Sequence, residues 1–105
     1  MKLKPVVLRE AAAQDVQDAL SHYVEEGGPS LGLAFVDAME AAIRHIAAHP
    51  QSGSARYAIE LGLPEVRFWN LKRFPYLIFY VERESELDVW RVLHGQRDIP
   101  AWLQR

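Results

Sequence analysis

Residues 66–93, VRFWNLKRFPYLIFYVERESELDVWRVL, decide the fold. They hold three β-favouring runs, Val66 to Leu71, Tyr76 to Glu82 and Leu87 to Leu93. The separators, Lys72 to Pro75 and Arg83 to Glu86, have the length of hairpin loops, so the runs read as an antiparallel meander. The middle run is apolar on both faces, the pattern of a central strand covered on each side. The third alternates, which places Leu87, Val89 and Leu93 on one face and Asp88 and Trp90 on the other.

Upstream, residues 50–65 (PQSGSARYAIELGLPE) show no clean period and carry paired Pro, Gly and Ser, so they read as a loop with room for one short turn. Before them lie two helical patterns. From Glu10 to Glu26 the apolar stripe is Ala12, Val16, Ala19, Leu20 and Tyr23, with polar residues elsewhere. Gly27, Gly28 and Pro29 break the helix, and a second one runs to His49, where Pro50 stops it. This second helix is apolar over more than half its circumference. Leu33, Val36 and Ile43 widen the stripe formed by Leu31, Phe35, Met39 and Ile46, so it should touch the sheet, the first helix and a partner. At the N-terminus, KLKPVVL (2–8) reads as an edge strand, because Pro5 cannot donate to a ladder.

The expected fold class is α+β: a two-layer βααβββ arrangement in one domain, 1–105, with a helical hairpin on one face of a wholly antiparallel sheet. The tail GQRDIPAWLQR is expected to be pinned back by Trp102 and Leu103. Half the residues are hydrophobic and a quarter charged, which excludes disorder and low-complexity classes. The absence of cysteine excludes disulfides, thiolate metal sites and a Cys nucleophile, and fits a reducing cytoplasm. There is neither an export signal nor a membrane span in this reading. A net charge of −2 gives no reason to expect direct DNA binding, although Arg67, Lys72, Arg73, Arg83, Arg91 and Arg97 gather in the second half.

That element order, with Val66-Arg67-Phe68 and then FPYLIFYVERESELDVWRVLHGQRDIPAWL at 74–103, resembles the RelE/ParE superfamily of bacterial toxins, on its ParE side. The run Arg91-Val92-Leu93-His94-Gly95-Gln96-Arg97-Asp98-Ile99 is the most specific part. The resemblance implies the toxin of a type II toxin–antitoxin (plasmid stabilisation) pair, held in a hetero-oligomer by a small ParD-like or other DNA-binding antitoxin. ParE-like members poison DNA gyrase by binding; RelE-like members cut messenger RNA on the ribosome.

These activities need different residues. A gyrase poison needs contact groups, and Arg91, His94, Arg97 and Trp102 are the candidates, with Arg67, Lys72 and Arg73 as basic support. A ribonuclease needs a base, an acid and cations on the phosphorane, for which Arg67, Arg73, Tyr80, Arg91 and His94 are available. The tail stretch IPAWLQR lacks the tyrosine usual in nuclease members. His94 reads either as a general acid/base or as a structural histidine bonding the turn after it. An antitoxin would cover Val16, Leu20, Tyr23, Leu33, Val36 and Ile43. His45 and His49 have the i, i+4 spacing of a metal pair, but Ile46 stands where a zincin needs Glu; neither metal nor cofactor is expected.

Overall fold

Gly28 turns what would be one rod into a hairpin. The computed structural model describes residues 3–63 and 65–104, and in it helix α1 runs Glu10–Ala48, interrupted at Gly28 with φ 78° and ψ −174°. An unbroken helix of 39 residues would be about 58 Å long, whereas the longest dimension of the molecule is 38 Å. Glycine enters the positive-φ region without the Cβ penalty, and Pro29 starts the second arm with its φ already set. The arms, 10–27 and 29–48, lie close. The Tyr23 and Phe35 rings are 5.3 Å apart, and a Cβ on Gly32 would stand 2.6 Å from Val24 Cγ2.

Four strands form one sheet in the order β1-β4-β3-β2: β1 is Val6–Leu8, β2 Arg67–Asn70, β3 Tyr76–Glu82 and β4 Leu87–His94. β2, β3 and β4 make the expected antiparallel meander. β1, however, pairs parallel to β4, with Val6 opposite Leu87 and Leu8 opposite Val89, so the sheet is not wholly antiparallel. The connector explains this correction. Residues 50–65 contain a 3₁₀ turn (Pro50–Ser52) and helix α2 (Arg56–Leu61). Between them Ser54 pairs antiparallel with Phe68, through Ser54 N–H to Phe68 O and Phe68 N–H to Ser54 O, both at 2.9 Å. The segment read as a loop thus makes one more pass along the sheet, which reverses the direction in which β2 enters. Lys2 of the expected first strand, Pro64 of the connector and Arg105 of the tail lie outside the described residues.

β3 is covered on both faces, as its sequence requires. Ile78 and Tyr80 face the helical layer, where Ala12, Ala19, Phe35, Met39, Ala42 and Ile46 close the main core. Phe79 and Val81 face the other side, under Tyr57, Ala58 and Leu61 of α2 and Ile99 and Leu103 of helix α3 (Ile99–Leu103). The tail is therefore a short helix, seated as expected by Leu103. Each fully buried side chain of this size contributes roughly 1.5–3 kcal/mol, which is why so short a helix holds its place.

One register feature departs from the alternation expected for β4. Phe79 pairs with Arg91 but Tyr80 pairs with Val89, so Trp90 is an extra residue opposite neither. This bulge shifts the phase of every side chain after it. Leu87, Val89 and Val92 point to the helical layer, whereas Leu93 lies on the opposite face with Trp90, not with Leu87 and Val89 as the alternation predicted. By the same phase shift, Arg91 is brought to the α3 face.

Candidate functional site

β1 ends at Leu8, opposite Val89, so the remainder of β4 has no strand beside it on that edge. The carboxylate of Asp15, on the first arm of α1, fills the gap. Its Oδ2 accepts from Val92 N–H at 3.0 Å and from Arg91 Nε at 2.7 Å, and its Oδ1 accepts from Arg91 Nη2 at 2.8 Å. Arg91 also donates from Nη1 to the Trp102 carbonyl at 3.4 Å, and its guanidinium carbon lies 5.1 Å from the Trp102 ring centroid. Both partners of the Arg91–Asp15 pair are mostly covered, at 14% and 13% side-chain exposure. The guanidinium is held further toward its charged form, first by its hydrogen bonds to Asp15 and against the cost of burial.

Trp102 carries a second cation. Arg97, which is exposed, lies 4.1 Å over the same ring, within the range in which a guanidinium is attracted to an indole face. Asp98 does not bridge to Arg97. It caps α3, accepting from Ala101 N–H at 3.4 Å. Beside this tail opens a cleft of about 520 Å³ between the first arm and the end of β4, lined by Asp15, Asp18, His22, Tyr76, His94 and Arg97 among others. His94 accepts from Gln96 N–H at its Nδ1, 3.1 Å away, and packs edge-on to Tyr76 at 5.2 Å. The ring thus makes the turn-bonding contact of the structural reading, while its other nitrogen remains available to the cleft. Burial raises the Tyr76 phenol above its ordinary pKa, with the nearby charge of Arg97 opposing.

The other sequence candidates do not join this group. Tyr80 is fully buried; its hydroxyl donates to Pro50 O at 2.8 Å and accepts from Gly53 N–H at 3.1 Å, and burial raises its pKa against that bond. It anchors the connector and cannot reach a substrate at the surface. Arg67, paired with Tyr80 across the sheet, donates to Gln51 O and Gly53 O and lines a separate cleft with Lys4, Glu82 and Arg83. Lys72 and Arg73 are exposed on the β2–β3 turn, at the His94 end of the sheet, where Tyr76 pairs with His94. His45 is stacked on Trp69 at 4.0 Å and bonded to Ser52 Oγ at 3.0 Å, with His49 beside it. Among the described residues no group of three or more His, Cys, Asp or Glu could hold a metal ion.

Of the apolar residues expected to meet an antitoxin, Val16, Leu20, Tyr23 and Ile43 are half-buried against the main core. Tyr23 sits in an aromatic cluster with Phe35, Phe74 and Tyr76. Val36 is half-buried and Leu33 is 63% exposed, with Val24 also exposed nearby on the hairpin. The reading missed Asp15, His22 and Tyr76. Asp15 looked like one more polar residue on an amphipathic helix, and nothing local marked a partner 76 positions away.

Comparison with known proteins gives the family and the fold. The sequence model of the ParE toxin of the type II toxin–antitoxin system parDE matches residues 6–99. Among solved structures, the chain is similar to one described as the chromosomal ParDE toxin–antitoxin system from P. aeruginosa. The TM-score is 0.74 and the identity 21%, over 90% of this chain and 98% of that one. No curated protein matches.

Proposed function

Because the chain belongs to the ParE family of toxins of type II toxin–antitoxin systems, we propose that it poisons DNA gyrase by binding, and that a cognate ParD-like antitoxin neutralises it in a hetero-oligomer. Gyrase places the action in the cytoplasm. The contact surface is the tail: Trp102 with Arg97 over its ring, the adjoining His94, and Lys72 and Arg73 at the same end of the sheet. The observation that carries this reading is an assembled cation–indole surface in a chain whose candidate proton-transfer hydroxyl, Tyr80, is sealed in the core. Tryptophan and arginine are the side chains that most often dominate protein interfaces. The antitoxin's apolar segment is assigned to the hairpin around Val16, Leu20, Tyr23, Leu33, Val36 and Ile43, of which Leu33 is the most accessible.

The test compares Trp102→Ala, Arg97→Ala and Tyr80→Phe in gyrase supercoiling and in ribosome-dependent messenger RNA cleavage. Loss of a hot-spot contact costs more than about 1 kcal/mol, so the two tail variants are expected to weaken gyrase inhibition by roughly tenfold. Tyr80→Phe is expected to leave inhibition per folded molecule unchanged. Ribosome-dependent cleavage by the wild type, abolished in Tyr80→Phe, would replace this reading with the endoribonuclease.

A further inference from the structure

Arg91 was grouped with the target contacts, yet its guanidinium is turned inward. Two of its nitrogens are fixed side by side on Asp15 and a third reaches Trp102 O. A bidentate Arg–carboxylate pair fixes the plane of the guanidinium as well as its distance. The carbon of that guanidinium lies 5.1 Å from the centroid of the Trp102 ring, and the same ring carries Arg97 at 4.1 Å. The bulge at Trp90 puts Arg91 on the α3 face, and the short β1 leaves the edge open for it to pass round to the helical layer.

We infer that Asp15 is the positioning residue of the target-contact tail: acting through Arg91, it fixes Trp102 and with it Arg97. This rests on the reading of Trp102 and Arg97 as contacts. Without the negative charge, Arg91 is a mostly covered cation lacking its partner, a state costly enough to drive it into solvent. Trp102 then loses the Arg91 bond to its carbonyl, which keeps that of Gln104 N–H, and one of the two cations beside its ring. A purely structural ion pair supplies the matched control. Asp88 accepts from Arg9, Arg83 and Trp90 Nε1 and makes no contact with the tail among its hydrogen bonds.

Each tryptophan occupies a separate station, Trp69 on His45, Trp90 on Asp88 and Trp102 on Arg91. Fluorine NMR of the full chain labelled with 5-fluorotryptophan therefore reads the stations independently, alongside gyrase supercoiling. In Asp15→Asn the Trp102 resonance is expected to shift, with Trp69 and Trp90 unmoved. Gyrase inhibition should fall about tenfold with it. Asp88→Asn is expected to move Trp90 alone and leave inhibition per folded molecule unchanged. A Trp102 resonance that stays in place in Asp15→Asn overturns the inference whatever the target is. A shifted Trp102 with undiminished inhibition overturns its functional half. If the wild type leaves gyrase untouched, the target reading fails, and the fluorine spectrum alone decides whether Asp15 positions Trp102. Should Asp15→Asn fail to fold, Arg91→Lys keeps a charge beside Asp15 but loses the two-point pairing with it and the donor to Trp102 O. The same shift is then expected, and an unmoved Trp102 refutes the inference.

Discussion

The hydroxyl of Tyr80 ties the connector to the central strand through Pro50 O and Gly53 N–H. Tyr80→Phe leaves both groups short of a partner, so a loss of about 1–3 kcal/mol is expected in urea unfolding. Asp88 gives a pH-dependent counterpart. Its carboxyl is held below its ordinary value of 3.8, first by the hydrogen bonds of Arg9 and against burial, with Arg83 and Trp90 helping. A depressed carboxyl contributes fully above the unfolded value and loses that contribution as pH falls through the folded one. Asp88→Asn is accordingly expected to cost about 2 kcal/mol at pH 7 and to cost less at pH 3, measured by urea unfolding at both. An equal loss at the two pH values would contradict the assignment. At this scale the sequence was partly legible. Arg91, Arg97 and Trp102 were singled out together and do assemble. Tyr80 misled because a tyrosine on a strand apolar on both faces gives no sign of which groups meet its hydroxyl.

The elements depend on glycines placed where chains approach closely. Gly32 faces Val24 across the hairpin, and an added Cβ would stand 2.6 Å from Val24 Cγ2 and 3.2 Å from Leu20 Cδ1. Alanine gains about 1 kcal/mol of helix propensity at such a site, whereas overpacking typically costs about 1–3 kcal/mol. Because valine's branched Cβ leaves it little freedom to yield, Gly32→Ala is expected to be net destabilising; a raised melting temperature would refute the close hairpin seam. The two helices, their break at Gly28 and the meander were readable because period and punctuation are local signals. The bulge was not, since Trp90 satisfies the alternation on its own side and only the partner strand reveals the slip. The connector's extra pass was hidden for a similar reason. A single pairing, Ser54 with Phe68, carries it, and one residue shows no period.

At the scale of the molecule, the parallel β1–β4 pair follows from that extra pass, the open edge beyond it follows from β1 ending at Leu8, and Asp15 meets Arg91 on that edge. The helical hairpin leaves Leu33 and Val24 exposed on one side while the tail lies on the other face of the sheet. In this account Leu33 lies apart from the tail contacts, whereas Tyr23 packs on Phe74 and Tyr76 beside them. Leu33→Asp is expected to weaken antitoxin binding by roughly tenfold or more while leaving gyrase inhibition intact, checked by titration of the antitoxin against each variant. The proposed function requires that the folded chain itself trap gyrase. Its most direct measurement is a supercoiling reaction with the purified chain freed from antitoxin, scored on one gel for inhibition and for double-strand breaks. Both inhibition and trapped breaks are expected, each weakened by Trp102→Ala. Unimpaired supercoiling with no breaks, at large molar excess of demonstrably folded protein, would contradict it.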